Sequence, residues 1–297
     1  MSFKRLLGGV AAVTLALTAA ACSNSLSGES SSGTSEQPSV KADSALFDKL
    51  PDKIKEKKVI LVGTDASYAP NEFTVGNDVQ GFDIDLFNAI GAKLGVKMKY
   101  QNAKFDTIIP SVTSGKFDAG ISSFTITKKR EKQVNMVSYF SAGTQWAVAS
   151  GNPKKIDPDN ACGKTVAVQT GTTQALDDLP VRQQKCGSDK MKILHFDGQD
   201  QVTAAVVNGR ADAMLADSPV TQYAAKQEKG KIETVGDVYA TAPYGIITAK
   251  DQTDFAHVIA DAFTEVQQDG AVKTAMTKWG ITSGEIDKSE VNPAAAS

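Results

Sequence analysis

The chain has little histidine, few cysteines and no excess of charge of one sign. Its 297 residues include two histidines and three cysteines, with 32 basic and 34 acidic residues. This balance argues against a general nucleic-acid-binding protein, which usually carries a basic excess. His195 and His257 have no ligand-like spacing with the cysteines, so no metal or other cofactor is predicted. Gly-x-Ser-x-Gly and Ser-x-x-Lys, two patterns typical of serine nucleophiles, are absent as well.

The sequence also lacks an apolar run long enough to cross a membrane. A short positive region is followed by apolar residues 6–17, about 12 residues where a membrane-spanning helix needs about 20. Small residues then lead into Cys22, which predicts an export signal peptide over residues 1–21. A cysteine in this place resembles a bacterial lipobox, in which the cysteine is lipidated and becomes the mature N-terminus. The alternative is an ordinary secretory signal that is cleaved after Ala21.

Residues 22–45 are predicted to be a flexible, lipid-anchored linker. Ser, Gly, Glu and Thr dominate this segment, which has almost nothing to bury and so cannot offset the entropy lost on ordering. A lipid on Cys22 and such a linker would hold an exported domain at the outer face of the cytoplasmic membrane without inserting it. This arrangement is typical of cells without an outer membrane, so a Gram-positive source is expected.

Cys162 and Cys186 remain as an even pair in a chain that is expected to be exported. In an oxidising compartment such a pair indicates a disulfide. Closing a loop of about 25 residues would stabilise the fold by roughly 3 kcal/mol in the loop-entropy description. Two buried free thiols are the alternative.

Two short stretches of the chain are near copies of each other. Residues 208–216, Asn-Gly-Arg-Ala-Asp-Ala-Met-Leu-Ala, repeat the pattern of residues 114–122, Ser-Gly-Lys-Phe-Asp-Ala-Gly-Ile-Ser. Each predicts a turn into an apolar strand that ends in polar residues, Ser122 and Ser123 in one copy and Asp217 in the other. Because ligands of open α/β sheets bind beyond the carboxyl ends of the strands, the repeat predicts two lobes that face a shared cleft.

Strand and helix patterns alternate along both halves of the chain, which implies largely parallel sheets. Two crossings between the lobes would make a hinge near residues 141–144 and 238–243. The predicted boundaries are a discontinuous lobe 1 at 46–143 and 241–285, lobe 2 at 144–240 and a C-terminal tail at 286–297. Strands are predicted at 59–63, 96–100, 145–149, 165–169, 213–216 and 244–248, and helices at 83–94, 108–115, from 174, and at 202–207, 255–266 and 272–279.

Six motifs follow one another along the predicted folded part. They are Asp65-x-x-Tyr68-x-Pro70, Gly81-Phe-Asp-Ile-Asp-Leu-Phe-Asn-Ala-Ile-Gly91, Phe105-Asp-x-Ile-Ile-Pro-Ser111, Ser122-Ser-Phe-Thr-Ile-Thr-x-x-Arg130, Gln169-x-Gly-Thr-Thr173 and Asp217-x-Pro219. Together they resemble the family-3 extracellular solute-binding proteins, the amino-acid receptors of ABC importers. The resemblance implies an α/β, two-lobed periplasmic-binding-protein fold, type II-like. Each lobe would be a largely parallel sheet flanked by helices, with the ligand cleft between the lobes.

The resemblance also implies a clamp for the two charged groups that every free amino acid carries. Arg130, whose guanidinium fork suits a carboxylate, would bind the α-carboxylate, and Gly171, Thr172 and Thr173 would contact it from the opposite lobe. Asp217 would pair with the α-ammonium group. On pattern alone three other roles stay open: Arg130 as a solvated residue of its charged run, Thr172 as a helix cap and Asp217 as a strand-end turn residue.

The remaining candidate residues would surround the body and the side chain of the ligand. Ser122, Ser123 and Thr125 supply small hydroxyl groups beside the charged clamp, although such clusters often serve only local turns. Tyr68 and Phe105 resemble the aromatic pair between which the family holds the ligand side chain. An isolated aromatic is more often part of a core, so the motifs around these two residues carry the prediction.

Asp65 bears most on the choice of ligand. In relatives that bind lysine, arginine, ornithine or glutamine, the matching aspartate contacts the far polar end of the ligand. A carboxylate there should repel glutamate and aspartate and favour a cation. A polar or cationic amino acid is therefore the expected ligand.

Five further residues have no assigned ligand contact. Glu72 is interpreted as a solvated loop charge rather than as a second acidic group for the ligand. Asp83 is interpreted as a cap of the helix that it begins. Gln145, Trp146 and Gln174 lie outside the motifs and are left as residues that could tune ligand choice.

The resemblance implies a receptor for import rather than an enzyme. Ligand that is held by both lobes closes the hinge, and a membrane permease with its ATPase subunits would recognise the closed form. One alternative is an enzyme similar to the periplasmic cyclohexadienyl or arogenate dehydratases, which place an acid in the same cleft. Another is a sensory receptor that presents the ligand to a signalling partner. The protein is expected to be a monomer that binds no nucleic acid.

Overall fold

The computed structural model describes residues 40–295 of the chain. The predicted signal peptide, Cys22 and the linker up to residue 39 lie outside the described residues. Within residues 40–295, no helix is both long and apolar enough to cross a bilayer. In the same part of the chain, no group of three or more His, Cys, Asp or Glu side chains is placed to hold a metal ion.

The described residues form eleven strands and ten α-helices. The strands are β1 (Val59–Thr64), β2 (Ser67–Tyr68), β3 (Glu72–Val75), β4 (Asp78–Gln80), β5 (Lys97–Asn102), β6 (Ala119–Gly120), β7 (Val134–Ala149), β8 (Thr165–Gln169), β9 (Lys192–Phe196), β10 (Ala213–Asp217) and β11 (Ile232–Ala249). The α-helices are α1 (Ser44–Asp48), α2 (Asp52–Lys57), α3 (Phe82–Lys93), α4 (Phe105–Thr113), α5 (Lys128–Glu131), α6 (Leu179–Lys185), α7 (Gln199–Val207), α8 (Ser218–Gln227), α9 (Thr253–Gln268) and α10 (Ala271–Trp279). A π-helix (Gln174–Asp178) leads into α6, and a 3₁₀ turn (Pro293–Ala295) follows the last segment.

Eight strands form one sheet in the order β5-β1-β6-β11-β7-β10-β8-β9. On one side β1 pairs in parallel with β5 and β6, and on the other β8 pairs in parallel with β9 and β10. The central strands β7 and β11 run antiparallel to each other. We call the part built around β1, β5 and β6 lobe 1, and the part built around β8, β9 and β10 lobe 2. A parallel group of strands with helices in each lobe confirms the predicted α/β class.

The two central strands are longer than the sequence predicts. The sequence predicts strands of five residues at 145–149 and 244–248, whereas β7 has 16 residues and β11 has 18, so that both run through the two lobes. Their pairing shifts register between Val235 and Tyr239 and again between Tyr239 and Ala242. Tyr239 and Ala242 fall in the predicted hinge segment 238–243, whereas Val235 precedes it, and the lobe boundaries themselves stay a prediction.

Each lobe has its own hydrophobic core. In lobe 1, Leu86, Phe87 and Ile90 of α3 are spaced on one helical face and are at most 1% exposed. They belong to one cluster with apolar residues of α9 and α10. Each such buried side chain contributes about 1.5–3 kcal/mol relative to an exposed one. In lobe 2 the core lies beside Cys162 and Cys186, which the structure joins through a disulfide.

Both ends of the described chain pack on lobe 1. Val40 packs against the lobe 1 core and the Asp43 side chain caps α1, so residues 40–45, predicted as the end of the linker, contact the folded part. At the other end, Val291 forms a β-bridge with Val137 of β7. The Asn292 side chain accepts a hydrogen bond from a backbone N–H of the same strand at 2.9 Å. Residues 290–292 of the segment predicted as a tail therefore lie along β7.

Candidate ligand-binding site

A cavity lies between the lobes, beyond the carboxyl ends of β1, β6, β8 and β10, where the strand-end rule places ligands of open α/β sheets. The space between its lining atoms is about 270 Å³, which includes solvent at its open side. The twelve lining residues are Asp65, Tyr68, Phe105, Ser122, Ser123, Thr125, Arg130, Gln169, Thr172, Thr173, Gln174 and Asp217. The structure thus brings ten of the eleven predicted site residues around one cavity, while their contacts with a ligand stay a prediction.

Gly171 is the predicted residue that does not line the cavity. Its backbone carbonyl instead accepts a hydrogen bond from Nη2 of Arg130 at 3.2 Å. Gly171 has a positive φ of 83°, and a Cβ atom at this position would lie 2.8 Å from Cβ of Asp106 in the other lobe. A glycine is needed here because the two lobes approach each other closely.

Arg130 is buried in the cavity wall. The side chain of Thr127 caps α5 by accepting from the backbone N–H of Arg130. Nη1 of Arg130 donates to the carbonyl of Thr125 at 2.8 Å, and its guanidinium carbon lies 5.4 Å from the ring centroid of Phe105 and 5.6 Å from that of Phe124. Burial lowers its pKa to about 10, so it remains a cation at neutral pH. The alternative of a solvated residue is therefore wrong.

Asp217 ends β10 and is equally buried. Its Oδ1 accepts a hydrogen bond from Nε2 of Gln174 at 2.7 Å, and its Oδ2 accepts one from the hydroxyl of Tyr244 at 2.7 Å. Its backbone N–H donates to the hydroxyl of Tyr68 at 3.0 Å. Burial raises the pKa of Asp217, and the hydrogen bonds from Tyr244 and Gln174 oppose this rise. The residue is an acceptor built into the cavity wall.

Asp65 holds a second buried carboxyl group in the cavity wall. Its Oδ1 accepts from the hydroxyl of Ser67 at 2.6 Å, and its Oδ2 accepts from the backbone N–H of Phe105 at 3.0 Å. Nε2 of Gln169, from lobe 2, donates to the same Oδ2 at 2.9 Å. Burial raises the pKa of Asp65, and the hydrogen bonds from Ser67 and Phe105 lower it in part.

Thr172 caps the helical segment that begins in the cavity wall. Its hydroxyl accepts from the backbone N–H of Ala175 at 3.2 Å and donates to the carbonyl of Gln169 at 2.8 Å. The interpretation of Thr172 as a cap is therefore correct. The first residues after the cap form a π-helix rather than the predicted α-helix. A helix start in this place presents the positive end of the backbone dipole to the cavity.

Glu72 does not have the role that the sequence suggests. It is fully buried, and its Oε1 and Oε2 accept from the hydroxyls of Ser122 at 2.9 Å and Ser123 at 3.3 Å. The interpretation as a solvated loop charge is wrong because β3, which begins at this residue, pairs with β2 and places the side chain behind the cavity wall.

Asp83 is also misinterpreted by the sequence. The residue before α3 is Gly81, and no side chain caps this helix. Asp83 is fully buried instead, and its Oδ2 accepts from the backbone N–H of Ser123 at 2.9 Å and from the hydroxyl of Tyr139 at 2.7 Å. The carboxylate therefore binds partners distant in the chain rather than the helix amides.

The three residues left open by the sequence fall in different places. Gln174 lines the cavity. Trp146 is fully buried in the lobe 2 core, where its indole N–H donates to the hydroxyl of Tyr239 at 3.1 Å. Gln145 accepts hydrogen bonds from side chains of α8. Gln169 also lines the cavity; the sequence places it in a motif without a ligand role, although it ends β8 as Asp217 ends β10.

The lobes touch each other directly across the cleft. Besides the contact of Gln169 with Asp65, Nζ of Lys104 in lobe 1 lies 2.6 Å from Oδ2 of Asp197 in lobe 2. The backbone N–H of the first residue of α7 donates to the hydroxyl of Ser67 at 3.0 Å. A polar cavity enclosed by two α/β lobes, which are joined by two crossing strands, defines a two-lobed binding protein of the periplasmic type.

The chain belongs to the bacterial extracellular solute-binding proteins, family 3, whose family model matches residues 60–282. The arginine-binding protein ArgT of Corynebacterium glutamicum is 35% identical over 247 residues, which cover 82% of this chain and 81% of that protein. An ancestral arginine-binding protein bound to arginine has a structure that matches with a TM-score of 0.70 at 34% identity, covering 75% of this chain and 98% of that one. The ancestral amino acid-binding protein AncCDT-1, a precursor of cyclohexadienyl dehydratase, matches with a TM-score of 0.68 at 34% identity. The match covers 77% of this chain and 98% of that one. The predicted family and the two-lobed fold are confirmed.

Proposed function

We propose that the protein is the receptor of an amino-acid ABC importer and that its preferred ligand is a cationic amino acid, with arginine as the first candidate. One observation carries the proposal. Among the twelve residues that line the cavity, one is a cation, Arg130, and two are carboxylates, Asp65 and Asp217. A cationic amino acid has one carboxylate and two positive groups, which is the complementary set of charges.

The burial of these three side chains makes their charges selective. Each is less than a tenth exposed, so an unpaired charge in the closed cleft costs several kcal/mol. Arg130 would receive the α-carboxylate and Asp217 the α-ammonium group. The side chain of the ligand would then pass between Tyr68 and Phe105 toward Asp65. Glutamate would place a third carboxylate beside Asp65, where like charges repel.

The names of two of these relatives support the same ligand class. The relative from Corynebacterium glutamicum is named as an arginine-binding protein, and the structural relative at the TM-score of 0.70 was solved with arginine bound. Both match this chain over at least three quarters of its length.

Calorimetric titration tests this proposal. The protein is unfolded and refolded to remove carried-over ligand and is then titrated with arginine, lysine, ornithine, glutamine and glutamate. We expect one-to-one binding of arginine near micromolar affinity, about 8 kcal/mol, and no measurable binding of glutamate. Binding of glutamate in preference to all cationic amino acids would refute the ligand class. Absence of binding to these five, and to the other common amino acids titrated in the same way, would refute the receptor role as well.

We infer that the cleft binds its ligand without converting it. The two lining carboxylates each accept hydrogen bonds from at least two protein groups, which suits fixed anchors better than proton donors. A dehydratase similar to those that act on cyclohexadienyl compounds would release an aromatic product. Incubation with arogenate and prephenate, followed by ultraviolet absorbance, is expected to show no product. Steady product formation that scales with protein concentration would favour the enzyme.

We further propose that residues 1–21 direct export and that Cys22 carries a lipid, so that the protein works as a tethered monomer on the outer face of the cytoplasmic membrane of a Gram-positive cell. Permease and ATPase subunits would then receive the ligand. Mass spectrometry of the membrane fraction should find a lipid mass on Cys22 that the Cys22→Ala variant lacks. Deletion of the protein in its host should abolish arginine uptake, whereas a purely sensory receptor would leave uptake intact.

A further inference from the structure

A network of buried polar groups lies behind the lobe 1 wall of the cleft. Glu72 and Asp83 are both 0% exposed, and neither lines the cavity. Oε1 of Glu72 accepts from the hydroxyl of Ser122 at 2.9 Å, and the oxygen of the same hydroxyl accepts from the backbone N–H of Asp65 at 3.0 Å. Glu72 is therefore two hydrogen bonds away from the backbone of the residue that we expect to contact the far end of the ligand.

Asp83 holds the other half of this wall. Its Oδ2 accepts from the backbone N–H of Ser123 at 2.9 Å, and the Ser123 hydroxyl lies 3.2 Å from the same oxygen and 3.3 Å from Oε2 of Glu72. Ser123 has a positive φ of 51°, a conformation that serine rarely adopts. Such a backbone persists where its surroundings fix it, and here the two carboxyl groups do so.

The Ser123 hydroxyl oxygen brings the two carboxyl groups together, since it lies within hydrogen-bonding distance of an oxygen of each, and both groups are fully buried. Burial and the nearby charge of Asp83 raise the pKa of Glu72 well above its ordinary value. Burial raises the pKa of Asp83 to about 6. The pair therefore shares one proton, which Glu72 holds, because the hydrogen bonds from Tyr139 and Ser123 favour the charged form of Asp83. Two carboxylates in one buried site cannot both be ionised without strong repulsion.

The titratable groups that face the pair carry no compensating positive charge. Asp65 faces Glu72 from the loop after β1, and Tyr68 of β2 also faces it. Tyr139 of β7 faces both carboxyl groups, and Tyr100 of β5 faces Asp83. All four are acidic groups, so none of them supplies a positive charge that would offset a second negative charge on the pair.

We propose that Glu72 and Asp83 act as one positioning pair, whose shared proton holds Ser122, Ser123 and the backbone of Asp65 in the arrangement that binds the ligand. Loss of this proton at high pH would drive the two carboxylates apart. The hydroxyls of both serines, which bond to the pair, would move with them and loosen the wall of the cleft. The inference rests on the proposed function for its effect on affinity but not for its effect on stability.

The binding test compares two substitutions of Glu72 across pH. Glutamine carries an N–H in place of the acidic proton and cannot ionise, so Glu72→Gln should keep the arginine affinity of the unmodified protein at neutral pH. Glu72→Ala leaves Ser122 and Ser123 without their acceptor and should weaken binding about tenfold. The dissociation constant of the unmodified protein should then rise relative to that of Glu72→Gln as pH increases from about 7 to about 10. Both proteins bind the same ligand, so the ionisation of arginine itself affects both dissociation constants equally. Its effect therefore cancels in their ratio.

Asp85→Asn is the matched control. Asp85 lies on the same helix and in the same motif, but its Oδ2 accepts from the indole N–H of Trp279 and pairs with Lys278, away from the cleft. This variant should keep the pH profile of the unmodified protein. A constant affinity ratio between the unmodified protein and Glu72→Gln would overturn the inference. A Glu72→Gln variant as weak as Glu72→Ala would overturn it too.

Unfolding measured without ligand separates this inference from the proposed function. Because the native protein holds a proton that the unfolded chain releases near the ordinary glutamate value of 4.5, its free energy of unfolding should fall as pH rises above that value. Glu72→Gln removes this contribution, so its stability relative to the unmodified protein should increase with pH until Glu72 ionises. Equal pH profiles would refute the shared proton even if arginine binds. A difference in profile would support it even if arginine does not bind.

Discussion

The charged side chains of the cleft are buried, and each keeps its place through hydrogen bonds that come from both lobes. Arg130 of lobe 1 donates to the carbonyl of Gly171 in lobe 2, and Gln169 of lobe 2 donates to Asp65 in lobe 1. Buried polar groups are costly unless they are paired in this way. The same groups must exchange or share their partners when a ligand binds, which ties ligand binding to the contact between the lobes.

We expect Asp65 to select ligands by the charge of their side chain, and substitution of this residue tests that expectation. Asp65→Asn keeps the size of the side chain but removes its charge, so a cationic ligand group loses a charge-assisted hydrogen bond. We expect arginine affinity to fall by roughly 2 kcal/mol, or about thirtyfold, and glutamine affinity to fall much less. Isothermal titration of both ligands measures this change in selectivity.

The control is Asp106→Asn, which removes a carboxylate that lies next to Phe105 but is exposed and does not line the cavity. It should leave both affinities unchanged. An equal loss for arginine and glutamine in Asp65→Asn would mean that the residue shapes the cleft without selecting charge.

Single residues were predictable from the sequence where a motif fixed their surroundings. Arg130 and Asp217 stand in motifs that carry the family resemblance, and both line the cavity. Glu72 is misinterpreted because a charge next to a turn usually lies in solvent, and Asp83 because an acidic residue at a helix start usually caps the helix. Their partner Ser123 lies 51 and 40 positions away along the chain, and no local pattern shows such a contact.

Among the secondary-structure elements, hydrophobic periodicity predicts the positions of most helices and strands of the two lobes. It does not predict the length of the two crossing strands, β7 and β11. Gly143 lies within β7, where a local pattern indicates a strand end. The structure explains this glycine, because a Cβ atom there would lie 2.6 Å from the carbonyl oxygen of Tyr239 in β11. The close approach of the two crossing strands thus requires a residue that, in the sequence, resembles a break.

The disulfide is the element-scale feature with the clearest stability effect. It joins Cys162, which precedes β8, to Cys186, which follows α6, and both border the lobe 2 core. Replacement of both cysteines by serine should lower the free energy of unfolding by roughly 3 kcal/mol in the loop-entropy description. Denaturant titration of the unmodified protein with and without a reductant measures the effect.

Reductant should not change the unfolding of the double serine variant, which serves as the control. If the unmodified protein were equally insensitive to reductant, the two cysteines would be free thiols in the folded protein. Arginine affinity should change little in either case, because neither cysteine lines the cavity.

The two-lobed arrangement of the molecule agrees with the internal repeat in the sequence. The two copies become β6 and β10, which lie in different lobes and end at the same cleft. Their polar ends, Ser122 with Ser123 and Asp217, meet there because the parallel strands of the two lobes run in opposite directions and point their carboxyl ends at the same cleft. The contacts between the lobes could not be read from the sequence, since Lys104 and Asp197 belong to no shared motif.

One cation and two carboxylates in a cleft between two lobes match the charges of a cationic amino acid. A crystal structure of the protein with arginine tests this match most directly. We predict the α-carboxylate within hydrogen-bonding distance of the Arg130 guanidinium, the α-ammonium group at Asp217 and the ligand guanidinium at Asp65. Arginine bound in the reverse direction, or outside the cavity, would contradict the account.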